Sequence, residues 1–324
     1  MKFLVTGGCG FIGSNFIRYL LDTRNKDKIV NLDALTYAGN PNNLKDLKED
    51  ERYKFIKGNI CNKELVKHIV EEEKPDVIVN FAAESHNDRA EKNSFIFLKT
   101  NILGTQNLLH ACKDKNIRFH HISTCEVYGD LELDSKDMFE EGYKYNPKTL
   151  YNSSKAGADH VIRAYYHTFK LPVTISICCN NYGPYQYPEK IIPLFATNAM
   201  ENKKLPLFKS SQNKREWIHV LDHCKAILLI IEKGIIGQTY NVGTGIEKSI
   251  ENITDSILKV LEKPKSLKKY VPDRLSHDKR YLLNNSKMKK LGWKPLIDFD
   301  EGLKETINWY EKNKDWWKPL KEEK

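Results

Sequence analysis

The stretch TGGCGFIG, Thr6–Gly13, decides the fold of this 324-residue chain. Its glycines stand at positions 7, 10 and 13, directly after the apolar run KFLVTG and just before FIGSNFIRYLLD, in which apolar residues recur at helical spacing. A strand, a glycine-rich turn and a helix in this order are typical of a pyrophosphate site. The N–H groups at the start of the helix bind the anion, and glycine leaves room for it to approach the backbone.

Asp33 completes the nucleotide-binding pattern. It ends the predicted strand Lys28–Asp33 and lies 20 residues beyond Gly13. A carboxylate at this spacing accepts hydrogen bonds from the ribose diol of an adenosine. Because its negative charge would repel a 2′-phosphate, the pattern predicts NAD rather than NADP as the cofactor.

Outward from this unit, predicted strands and helices alternate as far as Cys179. The further strands are Tyr53–Asn59, Asp76–Ala83, Arg118–Thr124 and Val173–Cys179, and the helices lie at Phe11–Asp22, Asn62–Lys74, within Asn93–Lys115 and at Tyr151–Phe169. Such alternation predicts an α/β fold with a Rossmann-type, doubly wound parallel sheet.

The pattern changes after Cys179, where proline-rich loops follow and Thr239–Gly243 is the only clean strand predicted. We therefore expect a smaller C-terminal substrate-binding lobe that interleaves with the end of the sheet. The predicted NAD-binding domain comprises residues 1–180 plus about 216–248, and the substrate-binding lobe comprises residues 181–215 plus 249–324.

The composition limits the classes of partner. The net charge is +9, but the lysines are spread along the chain, so we expect a solvated surface and no nucleic-acid partner. No apolar run approaches the length of a membrane span, so no membrane partner is expected. The seven cysteines are odd in number and contain no C-x-x-C pair, which predicts neither a disulfide framework nor a metal site. Reduced thiols indicate a cytoplasmic location.

Tyr151 and Lys155 form a Y-x-x-x-K pair on one face of a predicted helix. An ammonium group near the phenol would lower the pKa of the tyrosine towards neutrality. Tyr151 is therefore a candidate base for an alcohol proton, with Thr124 at a nearby strand end. Taken alone, the pair is equally compatible with an ordinary helix surface; the nucleotide pattern favours the catalytic interpretation.

The chain resembles the dTDP-glucose 4,6-dehydratases, within the extended short-chain dehydrogenase/reductase superfamily. The resembling stretches run from Leu4 to Tyr281, and AAESHNDR and PEKIIP are the most specific of them. The resemblance implies an elimination that is redox-neutral overall and uses retained NAD. Tyr151 would take the 4-OH proton while C4 is oxidised, Glu126 would remove the C5 proton, water would leave from C6, and the hydride would return to C6. The substrate would be a nucleotide-diphosphate-glucose and the product its 4-keto-6-deoxy derivative.

The resemblance also implies a set of site residues and a homodimer. The predicted catalytic residues are Thr124, Cys125, Glu126, Tyr151 and Lys155. The predicted cofactor contacts are Gly7, Gly10, Phe11, Ile12, Gly13, Asp33, Thr36, Asn59, Ile60, Ala82, Ala83, Thr100, Tyr151 and Lys155. The predicted substrate contacts are Ser85, Asn180, Glu189, Lys190, Arg215, Asn241, Arg274 and His277. The helices within 93–115 and at 151–169 are expected to pair across the dimer as a four-helix bundle.

Cys125 departs from the resemblance, which places an aspartate there as the acid that protonates the leaving hydroxyl. A thiol with a pKa of ~8.5 is mostly protonated at neutral pH, although it is a poor hydrogen-bond donor. We therefore predict that Cys125 replaces the acid, so that Cys125→Ala lowers the activity and Cys125→Asp keeps or raises it. The alternative is that Cys125 only fills space.

The residues taken alone are also compatible with other functions. A UDP-glucuronate decarboxylase would need no acid for a leaving hydroxyl, and a 4-epimerase is a more remote enzyme of the same kind. A dinucleotide-binding protein without turnover is the non-enzymatic alternative. The sequence leaves open whether the nucleotide is dTDP or UDP, because the two differ by one methyl group, worth only ~1 kcal/mol.

Overall fold

The computed structural model describes residues 1–113, 115–273 and 278–322. Its strands are β1 (Lys2–Thr6), β2 (Lys28–Asp33), β3 (Tyr53–Lys57), β4 (Val77–Asn80), β5 (Arg118–Thr124), β6 (Val173–Cys178), β7 (Asn180–Tyr182), β8 (Leu205–Phe208), β9 (Lys214–His219), β10 (Thr239–Val242), β11 (Glu247–Ser249) and β12 (Lys268–Val271). Its α-helices are α1 (Phe11–Thr23), α2 (Lys63–Glu73), α3 (Asn87–Lys92), α4 (Ser94–Phe97), α5 (Thr105–Cys112), α6 (Leu150–Phe169), α7 (Ile191–Met200), α8 (Val220–Lys233), α9 (Ile250–Val260), α10 (Ser286–Lys290), α11 (Phe299–Lys312) and α12 (Lys314–Glu322). A π-helix spans Leu98–Gly104, and 3₁₀ turns span Pro41–Leu47, Cys125–Tyr128 and Lys265–Leu267.

The main sheet has the strand order β10-β6-β5-β4-β1-β2-β3, and every neighbouring pair in it is parallel. The order reverses between β1 and β4, so a crevice opens at the carboxyl ends of these two strands. The predicted Rossmann-type fold is confirmed.

The strands of this sheet are apolar because helices cover both of its faces. All four residues of β4 and all six of β6 are buried, as expected for parallel strands without a solvent-facing side. Helix α1 buries Phe16, Ile17 and Leu20 and packs against α8. The glycine turn is thereby held between a buried strand and a buried helix.

A second, smaller core lies under the C-terminal lobe. Phe195, Trp217, Ile253 and Phe299 are among its buried side chains. The expectation of a single strand after Cys179 is wrong, since β7, β9 and β11 form one small sheet and β8 and β12 another. These strands have only three to six residues, too short for a clear alternating pattern.

The division into two domains stays a prediction. The boundary placed near residue 216 runs through β9, whose partners β7 and β11 lie on opposite sides of it in the sequence. In the described part of the chain, no helix is both long enough and apolar enough to cross a membrane.

Candidate active site

A cavity of about 1030 Å³ opens where the carboxyl ends of the main sheet face the C-terminal lobe. This volume is at the upper end of the range for ligand pockets, ~300–1,000 Å³, and suits a large or composite ligand. The predicted site residues that line it are Gly7, Gly10, Phe11, Ile12, Gly13, Asp33, Thr36, Asn59, Ile60, Ala82, Ala83, Ser85, Thr100, Thr124, Glu126, Tyr151, Lys155, Asn180, Glu189, Lys190 and Arg215. The fold thus brings most of the predicted residues to one place.

The glycine turn forms one end of the cavity. Gly7 has a φ of +70°, a left-handed conformation that favours glycine, and a Cβ there would lie 2.6 Å from the backbone nitrogen of Ala82. A Cβ at Gly13 would lie 2.4 Å from the carbonyl oxygen of Gly7. The first turn of α1 carries no acidic side chain that would repel an anion. These features fit a pyrophosphate bound at the helix N-terminus.

Asp33 lies beside this turn at the end of β2. Its carboxylate accepts hydrogen bonds from the backbone N–H of Cys9 at 2.9 Å and of Leu35 at 2.8 Å. Burial raises the pKa of the carboxyl group, and these two hydrogen bonds act in the opposite direction. A carboxylate has about four acceptor positions, so Asp33 can hold both loops and still accept hydrogen bonds from a ribose.

Thr124 and Tyr151 meet on the wall of the cavity beyond the nucleotide end. The hydroxyl of Thr124, at the end of β5, lies close to the phenol of Tyr151 in the first turn of α6 and favours its ionised form. Burial, followed by the Glu126 carboxylate, raises the pKa of Tyr151 well above its usual range. Among the protein groups with the largest effects, only Thr124 lowers this pKa, so the predicted shift towards neutrality is not observed.

Lys155 is buried one turn after Tyr151. Its ammonium nitrogen lies 3.0 Å from Nε2 of His121 and 2.7 Å from the carbonyl oxygen of Ile122. Burial lowers the pKa of Lys155 to about 8. The hydrogen bonds of this lysine are therefore directed at β5.

Glu126 follows Thr124 in the short turn after β5 and also lines the cavity. Burial, and to a lesser degree Asp278, raise the pKa of its carboxyl group, while Lys190 and Arg215 act in the opposite direction. A carboxyl with a raised pKa is a better base when ionised and a usable acid once protonated.

Substrate-side residues come from both lobes. The ammonium group of Lys190 donates to the carbonyl oxygen of Ser85 at 2.9 Å and so joins the C-terminal lobe to the loop after β4. Tyr37 donates to Glu189 at 3.1 Å, and the guanidinium of Arg89 lies 3.5 Å from the centre of the Tyr37 ring. This wall of the cavity therefore closes through contacts between the two lobes.

Comparison with known proteins identifies the family. The family model for GDP-mannose 4,6 dehydratase matches residues 4–306. The dTDP-glucose 4,6-dehydratase of Salmonella typhimurium is 41% identical over 341 residues, covering 98% of this chain and 94% of the relative. The chain belongs to the dTDP-glucose 4,6-dehydratase family.

Solved structures agree with this membership. The dTDP-glucose 4,6-dehydratase of Bacillus anthracis, solved in complex with NAD, superposes with a TM-score of 0.93 at 48% identity, covering 99% of each chain. The dTDP-glucose 4,6-dehydratase DesIV of Streptomyces venezuelae, solved with NAD and dTDP bound, has a TM-score of 0.95 at 43% identity and covers 99% of this chain and 100% of its own.

Cys125, which was predicted as the acid, is not among the described residues that line the cavity. Thr124 and Glu126 on either side of it line the cavity, whereas Cys125 is 1% exposed and packs in the main hydrophobic core. Burial, followed by the Glu126 carboxylate, raises the pKa of the thiol well above its usual range. The acid role of Cys125 therefore stays a prediction, and the burial of its side chain favours the alternative that it fills space.

Asn241 is a second correction among the predicted family residues. Its amide accepts from the Tyr128 hydroxyl at 3.0 Å and donates to the Phe139 carbonyl at 2.8 Å, and its side chain is fully buried. Asn241 therefore holds the loop after β5 and does not reach the cavity. Arg274 and His277 lie outside the described residues.

Asn87 is a site residue that the sequence analysis did not assign. Its side chain lowers the pKa of the nearby Glu126 carboxyl group and accepts a hydrogen bond at 3.0 Å from Thr149, the residue that caps α6. Its position within AAESHNDR was the available signal, since that motif was already recognised as specific. Tyr37, Arg89, Asp278 and Tyr281 also line the cavity, without a comparable signal.

Proposed function

We propose that this chain is an NAD-dependent dTDP-glucose 4,6-dehydratase that converts dTDP-glucose into the 4-keto-6-deoxyglucose nucleotide and water. The observation that carries this proposal is the convergence of Thr124, Tyr151 and Glu126 on one wall of a cavity whose far end is a dinucleotide turn. Oxidation at C4 needs an alcohol base, and elimination across C5 and C6 needs a second base close to the first. The site offers one residue for each task.

Tyr151 takes the proton of the 4-hydroxyl group. The Thr124 hydroxyl, which lies close to this phenol, stabilises the phenolate and the developing oxygen at C4. The cofactor supplies the redox chemistry, since the C4 hydrogen passes to NAD as hydride and returns to C6.

Glu126 performs the elimination. The 4-ketone acidifies the C5 proton, and Glu126 removes it as a base. The same carboxyl, now protonated, gives a proton to the 6-hydroxyl, which leaves as water. Glu126 then takes a proton from solvent and delivers it to C5 as the hydride adds to C6. A raised pKa suits both steps. Because Cys125 is buried, Glu126 is the acid that follows Thr124 on this wall of the cavity.

The diphosphate of the substrate is assigned to Arg215 and Lys190. Both line the cavity on the side of the C-terminal lobe, and a guanidinium binds phosphate oxygens through paired N–H groups. Arg215 is held in place by carbonyl oxygens of Lys214, Asp278 and Lys279, at 2.7 to 3.2 Å. Its orientation is therefore set before a ligand arrives.

We also propose a homodimer and a cytoplasmic location. Phe95, Leu98 and Leu103 are 70%, 45% and 52% exposed on consecutive helical turns between residues 94 and 104. An exposed apolar row of this kind marks an interface, and the occupant expected here is the same face of a second copy. The location rests on the seven free thiols.

Incubation with dTDP-glucose, UDP-glucose and UDP-glucuronate in separate reactions tests the function. We expect the 4-keto product from dTDP-glucose, with deuterium at C5 when the reaction runs in deuterated water. Glu126→Gln should allow reduction of the cofactor but release no product. Glu84→Gln is the matched control, since Glu84 is a second buried acid of the cavity with a raised pKa. Release of carbon dioxide from UDP-glucuronate without dehydration would contradict the proposal.

A further inference from the structure

His121 lies between Lys155 and the centre of the main sheet. Its Nε2 is 3.0 Å from the nitrogen of Lys155, and its Nδ1 is 3.1 Å from the amide nitrogen of Asn80. His121 and Asn80 are each 1% exposed, so neither can exchange these partners for water. Lys155 is therefore the end of a buried polar chain.

The chain continues across the sheet to the dinucleotide turn. Asn80 of β4 pairs in register with His121 of β5 on one side and with Thr6 of β1 on the other. The Asn80 amide lies 2.6 Å from the hydroxyl of Thr6 and 3.1 Å from that of Thr105. Thr6 directly precedes Gly7, so this chain links the lysine to the turn that is assigned to the cofactor.

Two proton arrangements satisfy this chain, and they differ in the charge of Lys155. Burial holds the pKa of His121 well below its usual range, so the ring is neutral and carries one N–H. When Nδ1 holds the proton, it donates to the side-chain amide oxygen of Asn80, and Nε2 accepts from an ammonium group on Lys155. When Nε2 holds the proton, it donates to a neutral Lys155 amine, and Nδ1 accepts from the Asn80 amide nitrogen.

The amide of Asn80 can serve both arrangements. Its oxygen and nitrogen have nearly the same shape, and the hydroxyls of Thr6 and Thr105 can each donate or accept. Rotation of the amide by half a turn therefore accompanies the change of tautomer. In the structure the amide nitrogen faces Nδ1, which is the arrangement of the neutral amine.

The other charged and titratable groups around Lys155 and His121 are few. Asp159, one turn along α6, lies 3.8 Å from Nε2 of His121 through an oxygen that has no hydrogen-bond partner among the described residues. Its other oxygen accepts from Ser123 and Tyr145. Asp159 and Cys178 favour the charged lysine.

His120 acts on the same pair from the neighbouring position on β5. Together with the lysine charge, it opposes a positive charge on the His121 ring. Arg163 lies further out, where it favours the ionised form of Asp159. The proton state of Lys155 is therefore set mainly by its own burial, by Asp159 and by the tautomer of His121.

We propose that His121 is a positioning residue whose tautomer, coupled to the orientation of the Asn80 amide, sets the proton state of Lys155 and thereby the upper pH limit of the reaction. This inference rests on the proposed roles of Tyr151 and Lys155. An ammonium group one helical turn from Tyr151 favours its phenolate, whereas an amine does not. Loss of the Lys155 proton at high pH therefore ends the reaction.

The test is the pH profile of kcat and KM for dTDP-glucose in His121 and Asn80 variants. His121→Leu removes the acceptor of a charged hydrogen bond, so the alkaline limb of kcat should move down by about one to two pH units. Asn80→Asp offers only acceptors to Nδ1, which forces the ammonium arrangement, and the limb should move up. His121→Gln can accept from Lys155 and donate to Asn80 without a tautomer change. Its kcat profile should therefore have the same alkaline limb as that of the unmodified protein.

His120→Leu is the matched control. His120 is equally buried, lies next to His121 on β5 and bonds to Thr174 and Ser176 instead. It should reduce stability as His121→Leu does and leave the pH profile unchanged. The proposal would be overturned if the alkaline limb of kcat were unshifted in both His121→Leu and Asn80→Asp. If His121→Leu fails to fold, an unshifted limb in Asn80→Asp is sufficient to overturn it. Full activity of Lys155→Met would instead contradict the proposed function.

Discussion

Cys125→Ala separates a catalytic thiol from one that fills space. If the thiol protonated the leaving hydroxyl, its removal would slow elimination by ~10²–10⁴-fold, the usual contribution of general acid catalysis. The structure predicts otherwise, because Cys125 is 1% exposed and belongs to the main hydrophobic core. We expect kcat within about threefold of the unmodified protein, less than the smallest contribution of a general acid.

The expected cost of Cys125→Ala is in stability. Removing one buried heavy atom leaves a small cavity, and comparable core truncations cost about 1 kcal/mol. For a chain of this size, that corresponds to a Tm lower by about 1–2 °C. Cys112→Ala is the matched control, since Cys112 is a fully buried thiol of the same core on α5.

The assay is the rate of 4-keto product formation under conditions in which elimination limits turnover, with Tm and NAD content measured on the same samples. Both variants should show a similar drop in Tm and near-normal rates. A hundredfold loss of rate confined to Cys125→Ala, with NAD content and Tm like those of Cys112→Ala, would refute the structural argument and restore the thiol as the acid.

The remaining predictions concern the cofactor, the assembly and the dependence of stability on pH. Purified protein should carry NAD(H), and Asp33→Asn should weaken discrimination against NADP; bound NADP in the unmodified protein would contradict the role of Asp33. Light scattering should show a dimer, and Leu98→Lys with Leu103→Lys should convert it to a monomer; a monomeric unmodified protein would exclude the proposed interface. Burial raises the pKa of Glu216 from 4.5 to about 7, so the folded state holds this proton more tightly than the unfolded chain. Its contribution to stability is therefore full at low pH and lost as the pH rises through about 7, by about 3 kcal/mol in total. The free energy of unfolding of Glu216→Gln, measured with urea across this pH range, should lack that decline. The same pH dependence in both proteins would count against this role of Glu216.

Local sequence patterns predicted the nucleotide end of the site well. The glycine turn, α1 and the strand that ends in Asp33 are short-range features, and each has a periodicity or a residue requirement that can be read directly. The spacing of Tyr151 and Lys155 likewise placed both on one helix. The small strands of the C-terminal lobe were missed, because they are too short to show alternation and pair with segments far away in the chain.

Residues alone predicted the parallel sheet, the preference for NAD and the pairing of Tyr151 with Lys155, since these depend on spacing along one strand, turn or helix. Glu126 was predicted from the family resemblance. Only the tertiary structure decided which side chains face the cavity. Neighbours in one turn point in different directions, so Glu126 reaches the cavity while Cys125 enters the core. The row from Lys155 through His121 to Asn80 was likewise invisible in the sequence, because its members come from three separate segments that become neighbours only when β4, β5 and α6 pack together.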